Sequence, residues 1–311
     1  MNTRRPFLAL AAAGVLLAPA PWLLPDFYLS LALTCLMYAG LTTSWALFCG
    51  PTRYLSLATS AFFGIGAYAT AWGIGSLPYP VVVLLGGVFA AAFAALVGAA
   101  VLHLRGAYFA VITFGLGELV RHGITAFEKS YFKKAGRVLT QVPDSEIVYL
   151  TVLVVALVTV AVALVVRGSR FGRALSAIGA DEQRAQTLGA NTRRIKIAGY
   201  SLSAFFAGAL GAAIAVRWTY LDPSTVFNPF IGFQTVLIAM VGGAHSIVGV
   251  LASSFIFSLL TEFLRLKFPY AFLIMLGFIL ILLVLYLPGG LAQLWERRKA
   301  RSAKAEEPVH V

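Results

Sequence analysis

Long apolar runs separated by short basic segments constrain this chain more than any other feature of its sequence. A helix needs about 20 apolar residues to cross the hydrocarbon core of a bilayer, and runs that reach or approach this length recur along the whole chain. Hydrophobic residues make up 60% of the 311 residues and charged residues only 12%, whereas soluble domains carry about 25% charged residues. The sequence therefore predicts an all-α polytopic membrane protein and excludes disordered, collagen-like and disulfide-rich classes.

We predict about ten transmembrane helices, several of them short or broken. They occupy 7–25, 27–49, 54–75, 80–103, 106–121, 147–167, 198–216, 228–243, 246–264 and 270–288. The first run also has the pattern of a twin-arginine export signal, but a cleaved signal would precede a soluble protein rather than further apolar runs. We expect residues 1–295 to form the membrane domain, with a loop at 168–197, and residues 296–311 to form a basic tail.

The basic residues indicate an orientation in the membrane. The chain has 24 Lys and Arg against 12 Asp and Glu, for a net charge of +12. Such a charge is typical of nucleic-acid binding, but here the basic residues lie between apolar runs. With both termini in the cytoplasm, 16 of the 24 lie inside, as the positive-inside rule requires. The sequence therefore predicts a multi-pass membrane protein with both termini and loop 168–197 in the cytoplasm.

Three of the apolar segments are interrupted or shortened. Segment 54–75 is rich in glycine, and run 106–121 is short and contains Glu118. A long apolar tract at 230–288 is broken at Gly242-Gly243. Each glycine is compatible with close helix packing alone. Discontinuous helices that line a substrate path are the alternative, and three such segments in one chain favour a transporter.

Loop 168–197 has a helical pattern of its own. Asp181 is placed to cap a short helix, Gly189 suits the left-handed residue that ends it, and Asn191 or Thr192 can cap the next helix. We expect a short helix-turn-helix against the inner face. It could dock in a groove of a soluble partner or lie among lipid headgroups, and its residues favour neither.

The sequence of this loop and of the apolar run after it is GRALSAIGADEQRAQTLGANTRRIKIAGYSLSAFFAGALGA. It resembles the permease family of branched-chain amino acid importers, in its M-type (LivM-like) branch. It is similar to the "EAA" segment through which ABC-importer permeases meet their ATPases. Four further stretches agree in order: SLATSAFFGIGAYATA at 56–71, LRGAYFAVITFGLGEL at 104–119, VGGAHSIVGV at 241–250 and LPGGL at 287–291. The resemblance covers residues 54–291 and implies an ABC-importer permease fold.

The resemblance also implies roles for particular residues. Coupling to the ATPase falls on Arg170, Gly172, Arg173, Ala174, Asp181, Glu182, Leu188 and Gly189, with 174–189 as the coupling helix and seven basic residues of 167–196 marking the docking surface. The substrate pathway falls on Ser56, Thr59, Phe62, Phe63, Gly64, Gly66, Tyr68, Tyr108, Thr113, Glu118, Gly242 and Gly243.

The resemblance further implies that this chain is one subunit of a larger assembly in the bacterial inner membrane. The expected partners are two ABC ATPase subunits, a second permease (an H-type chain) and a periplasmic or lipid-anchored substrate-binding protein. We expect no catalytic residue, metal or cofactor in this chain, since ATP would be bound by the partner subunits and no phosphate-binding Gly-Lys-Ser/Thr loop occurs in it.

Departures from the family pattern leave the cargo open. Ala58-Thr59 stands where the family usually has Gly-His, and residues 133–137 lack its usual Thr-Gly-Gly. The cargo is therefore a branched-chain amino acid or a related small polar, amide or carboxylate solute. An ion-coupled secondary transporter is the alternative function, although it would need acids deep in the bundle and only Glu118 partly qualifies.

Overall fold

The computed structural model describes residues 4–139, 142–271 and 274–279, and within them the chain is almost entirely helical. The helices are α1 (Arg4–Leu17), α2 (Ala20–Leu23), α3 (Asp26–Thr52), α4 (Thr59–Gly73), α5 (Tyr79–Val101), α6 (Gly106–Phe132), α7 (Ser145–Gly168), α8 (Arg170–Ala180), α9 (Glu182–Thr187), α10 (Thr192–Ala215), α11 (Pro223–Val226), α12 (Pro229–Gly242) and α13 (Ile247–Lys267). Two short strands, β1 (Arg137–Val138) and β2 (Tyr220–Leu221), pair antiparallel.

Seven segments of this part of the chain are long and apolar enough to cross a membrane. They are Pro6–Leu23, α3, α5, α7, α10, Pro223–Gly242 and α13. Helix α4 has only 15 residues, or about 22 Å, which is shorter than the hydrocarbon core. The predicted span 270–288 lies largely outside the described residues. The polytopic all-α fold is confirmed, and the count of ten stays a prediction.

Contacts at the helix ends fix the direction in which each helix runs. Lys196 at the start of α10 reaches the carbonyl of Leu102 just after α5, and α8 touches the end of α3 at Pro51. Tyr149, near the start of α7, donates to the carbonyl of Leu17 at the end of α1. Helices α3, α5 and α7 therefore run toward α8 and α9, while α1, α6, α10 and α13 run away. We call these two sides the α8–α9 end and the opposite end.

Helices α4, α5 and α10 approach each other at the level of their backbones. A Cβ at Gly66 would lie 1.8 Å from the carbonyl oxygen of Gly208, and one at Gly208 would lie 2.7 Å from that of Gly86. A Cβ at Gly211 would meet the carbonyl of Phe63 at 2.0 Å. Only glycine allows this spacing, so these three helices form a tightly packed centre around which the others are arranged.

The interrupted segments differ from one another in the structure. Segment 54–75 is an extended stretch followed by the short α4, and α12 ends at Gly242 with Gly243 at φ +83°. Both breaks agree with the sequence. The prediction of a short helix at 106–121 is wrong, because α6 continues to Phe132 and has 27 residues. Hydropathy falls after Glu118, but the polar residues that follow are still compatible with a helix, which ends at Lys133 with φ 53°.

The glycine packing leads to a stability prediction. Gly66→Ala should destabilise the isolated chain in detergent by about 1–3 kcal/mol, because the new Cβ would overlap the Gly208 carbonyl and push α4 away from α10. Thermal unfolding followed by size-exclusion chromatography would measure the loss. Gly115→Ala on α6 is the control, since a Cβ there meets nothing within 4 Å. Equal unfolding temperatures for both variants would contradict the packing role of Gly66.

Candidate functional site

The first helix of loop 168–197 is held tightly against the bundle. Ser169 caps α8 by accepting the N–H of Gly172 at 3.1 Å. Gly172 is buried, and a Cβ there would lie 2.0 Å from the carbonyl oxygen of Val166; at Gly179 the equivalent distance, to Pro51, is also 2.0 Å. Both glycines therefore let α8 lie directly on the ends of α7 and α3.

The second helix begins and ends where its sequence predicts. The Asp181 carboxylate accepts the N–H groups of Gln183 and Arg184 at 2.9 and 3.1 Å and caps α9. Gly189 has φ +84°, and Asn191 caps α10 by accepting the N–H of Arg194 at 3.1 Å. The predicted helix-turn-helix is present. The 174–189 stretch is not one helix, however, because the Asp181 cap divides it into α8 and α9.

One face of α8 and α9 points away from the bundle. Leu188 is 86% exposed, an unusual environment for a leucine. The remaining residues of this face are small, polar or basic: Arg170, Arg173, Ser176, Ala177, Ala180, Gln183, Arg184, Gln186, Thr187 and Gly189. Ala174 is half-buried beside them. We call this face, with Leu188 at one end, the α8–α9 surface.

Glu182 points to the other side, into the protein, where its side chain is 8% exposed. One carboxylate oxygen lies 2.7 Å from Lys196 Nζ, and the other lies 2.6 Å from Arg105 Nη2. The Tyr54 hydroxyl donates to the carboxylate at 3.1 Å. We call these four residues the Glu182 cluster.

The Glu182 cluster affects the ionisation of two of its members. Burial raises the pKa of Glu182, but its hydrogen bond and charge pair with Lys196 and the charge of Arg105 outweigh this and leave the pKa below its usual value. The Glu182 charge raises the pKa of Arg105. The carboxylate is therefore ionised and paired at neutral pH.

Two of the seven basic residues assigned to the docking surface do not face outward. The side chain of Lys196 is 5% exposed and lies inside the Glu182 cluster, so the prediction is wrong for this residue. Arg167 instead donates to the carbonyls of His245 and Ala244, at 2.6 and 3.1 Å, in the turn after α12. Counting charges along a loop cannot separate a lysine that reaches a buried acid from one that faces water.

The extended segment before α4 has its polar groups paired to several helices. The Leu57 N–H donates to Thr113 Oγ1 on α6 at 3.0 Å. The Ser56 carbonyl accepts from Trp45 Nε1 on α3 at 2.8 Å, and Ser56 Oγ lies 3.2 Å from the Tyr200 hydroxyl on α10. Two of the predicted pathway residues, Ser56 and Thr113, thus hold this segment in place.

Most other predicted pathway residues on α4 are buried in the packing of this chain. Gly64 lies against the ring of Phe227, and Gly66 lies against Gly208. The Tyr68 hydroxyl donates to Glu128 at 3.2 Å. The remaining predicted positions on α4 are also buried: Thr59, Phe62 and Phe63. At Gly64 and Gly66 the structure supports the packing alternative.

Helix α6 presents a different environment. It buries only Phe109, Thr113, Gly117 and Glu128. Tyr108 is 78% exposed, and Glu118 is half-buried and paired with Arg121 at 2.6 Å. The structure therefore brings Thr113 to α4 and leaves Tyr108 and Glu118 on the outer faces of α6.

Gly242 and Gly243 lie at the α8–α9 end, away from the other pathway residues. A Cβ at Gly242 would meet Ser253 Oγ and the Gly249 carbonyl of α13. Gly243 has the positive φ needed for the turn, and the Arg167 contacts hold this turn against α7. These glycines permit the sharp connection between α12 and α13.

Glu128, at the opposite end, is a buried acid that the sequence did not predict. Glu128 is 1% exposed and accepts from the Gly136 N–H at 2.7 Å and from Arg137 Nε at 3.3 Å. The Arg137 guanidinium lies over the rings of Phe132 and Trp72, at 4.5 and 5.4 Å. The only indication of this contact in the sequence is that Glu128 lies nine positions before Arg137, with aromatic residues nearby.

Comparison with known proteins gives a consistent family match. Residues 27–284 match the family model described as branched-chain amino acid transport system / permease component. The chain is 27% identical to the high-affinity branched-chain amino acid transport system permease protein LivM of Escherichia coli strain K12, over 98% of this chain and 80% of that protein. The LivM protein of Salmonella typhimurium strain LT2 is 26% identical over the same shares. No solved structure matches.

The lowered pKa of Glu182 predicts a pH-dependent contribution to stability. A carboxylate with a depressed folded-state pKa stabilises the fold above its unfolded pKa, near 4.5, and this stabilisation is lost as the pH falls through the folded value. Glu182→Gln should therefore lower the thermal unfolding temperature at pH 7, and the difference from wild type should shrink below pH 4.5. A difference that stays constant down to pH 3 would contradict the ion pairing.

Proposed function

The chain belongs to the family of branched-chain amino acid transport permeases and is a permease subunit of an ABC importer; from this premise we propose that it forms half of a path for branched-chain amino acids or a related small solute. Separate ATPase subunits drive transport, and neither hydrolysis nor a cofactor belongs to this chain. The observation that carries the proposal is the α8–α9 surface, which two capped helices present at one end of a helical membrane bundle.

The α8–α9 surface has the properties of a docking site for an ATPase subunit. Its shape is fixed by three capping side chains and two close glycine contacts, so little flexibility is lost on binding. It combines exposed arginines with a single large apolar side chain, Leu188. Such a surface fits a groove with acidic edges and an apolar floor. Lipid headgroups could satisfy the arginines but would not need this rigidity.

The outer faces of α6 support pairing with a second permease subunit. Val111, Ile112 and Leu119 are exposed there, and a Cβ at Gly115 or Gly123 would meet nothing within 4 Å. Small residues in membrane helices commonly permit close approach of another helix. These two glycines serve no such contact within the described part of this chain. A different, H-type chain on α6 would place Tyr108 and Glu118 at the subunit interface, beside the path.

The opposite end supports docking of a substrate-binding protein. Lys129, Lys133 and Lys134 are all exposed around the end of α6, and the Glu128 contacts fix the turn that carries two of them. An acidic surface on the binding protein would complement this charge. The proposal places this end outside the cytoplasm and the α8–α9 end, with Arg4 and Arg53, inside.

The ATPase-docking proposal predicts that Leu188→Asp and Arg170→Glu abolish copurification of the ATPase subunits and ATP-dependent uptake, because both side chains are exposed and neither forms a hydrogen bond or ion pair within the described part of the chain. Leu96→Ala, at an exposed apolar position on α5, is the control and should retain both. The measurement is affinity purification of the co-expressed complex followed by uptake in proteoliposomes. Uptake driven by an ion gradient alone, indifferent to ATP, would favour the secondary-transporter alternative and contradict the proposal.

The binding-protein proposal predicts a charge effect at the opposite end. The triple substitution of Lys129, Lys133 and Lys134 to Glu should raise the concentration of binding protein that gives half-maximal ATPase stimulation, by about 10-fold or more at low salt. The shift should diminish at high ionic strength, since the charges are solvent-exposed. Unchanged half-maximal concentrations at low salt would exclude these lysines from the docking site.

A further inference from the structure

The Glu182 cluster connects the α8–α9 surface to segments far apart in the sequence. Glu182 lies in α9, and Lys196 lies in the first turns of α10. Lys196 Nζ also donates to the Leu102 carbonyl at 2.7 Å and to the Tyr54 hydroxyl at 3.0 Å. One carboxylate on α9 is thus joined to the start of α10, the turn between α5 and α6, and the segment before α4.

Two of these connections lead to helices that carry predicted pathway residues. Arg105 is the residue immediately before α6, and its guanidinium is held by Glu182. Tyr54 begins the extended stretch before α4, and its ring packs edge-on against Phe109 of α6 at 5.2 Å. The start of α6 is therefore attached to α9 by an ion pair and to the α4 segment by an aromatic contact.

The two ion pairs of Glu182 differ in exposure. The pair with Lys196 is buried, and removing one partner would leave an uncompensated charge inside the protein. The Arg105 side chain is 59% exposed. It borders a cavity of about 330 Å³ that is also lined by Arg53, Gly179 and Asp181. Because the Arg105 side of this pair faces solvent, the pair can be displaced without unfolding the loop.

We propose that Glu182 is a positioning residue that transmits displacement of α8 and α9 to α6 through its ion pair with Arg105, and that it is not a contact for the ATPase. The Lys196 pair fixes Glu182 to the body of the bundle, and the Arg105 pair couples it to the helix with exposed faces. The proposal rests on the function above, since it requires an ATPase that moves the α8–α9 surface.

The test uses the complete transporter, with its ATPase subunits and binding protein, in proteoliposomes. Arg105→Gln removes the exposed pair and leaves the buried Glu182–Lys196 pair intact, so it avoids the folding defect that Glu182→Gln risks. We expect the ATPase subunits to remain bound and hydrolysis to continue, while uptake per ATP hydrolysed falls at least about fivefold, as for a typical coupling free energy. Arg105→Lys, which keeps the charge, should restore most of this ratio.

Arg53→Gln is the matched control. Arg53 is exposed and borders the same cavity, and no ion pair of this residue occurs among the described residues. Its substitution should leave uptake per ATP unchanged. The double variant Arg105→Gln, Glu182→Gln should be no more defective than Glu182→Gln alone, because Glu182→Gln already removes the ion pair with Arg105.

The outcomes separate the inference from the proposed function. An unchanged uptake-to-hydrolysis ratio in Arg105→Gln overturns the inference, and so does loss of ATPase binding in that variant, since Arg105 would then act at the docking site. An equal defect in Arg105→Lys and Arg105→Gln also overturns it, because charge would not matter. If the wild-type complex itself shows no ATP-dependent uptake, the proposed function fails whatever the variants do.

Discussion

Backbone-level contact among α4, α5 and α10 is the constraint on which the rest of the structure depends. Helices in lipid gain little from apolar side chains, because the lipid is equally apolar, and they associate through close packing. Gly66, Gly86 and Gly208 supply that closeness. The three helices form a fixed centre, while α6 touches it along a narrow stripe. This asymmetry leaves α6 less restrained by its own chain than the three central helices are, and it explains why the contacts at its two ends, Arg105 and Glu128, matter.

The features predicted correctly from the sequence depend on neighbouring residues. The caps at Asp181 and Asn191 and the turn at Gly189 involve groups within three positions along the chain. The break at Gly243 likewise follows from the backbone freedom of one residue. Membrane residence and family follow from long apolar runs and ordered motifs, which do not require knowledge of the packing.

The features missed depend on residues distant in the sequence. Nothing in the loop itself indicates that Glu182 turns inward, because its partners Arg105 and Lys196 are 77 and 14 positions away. Hydropathy falls after Glu118 and therefore predicts the end of a span there. Polar residues can nevertheless continue a helix beyond its apolar region, as they do in α6. The buried position of Glu128 requires the turn at Gly136 to fold back onto it.

The extended segment before α4 has a consequence for the order in which the protein assembles. Its backbone is not helical, and an unpaired peptide group in hydrocarbon costs several kcal/mol. The Leu57 N–H finds its acceptor on Thr113, and the Ser56 side chain meets Tyr200, both of which are synthesised later. The segment therefore becomes stable at membrane depth only after α6 and α10 have arrived.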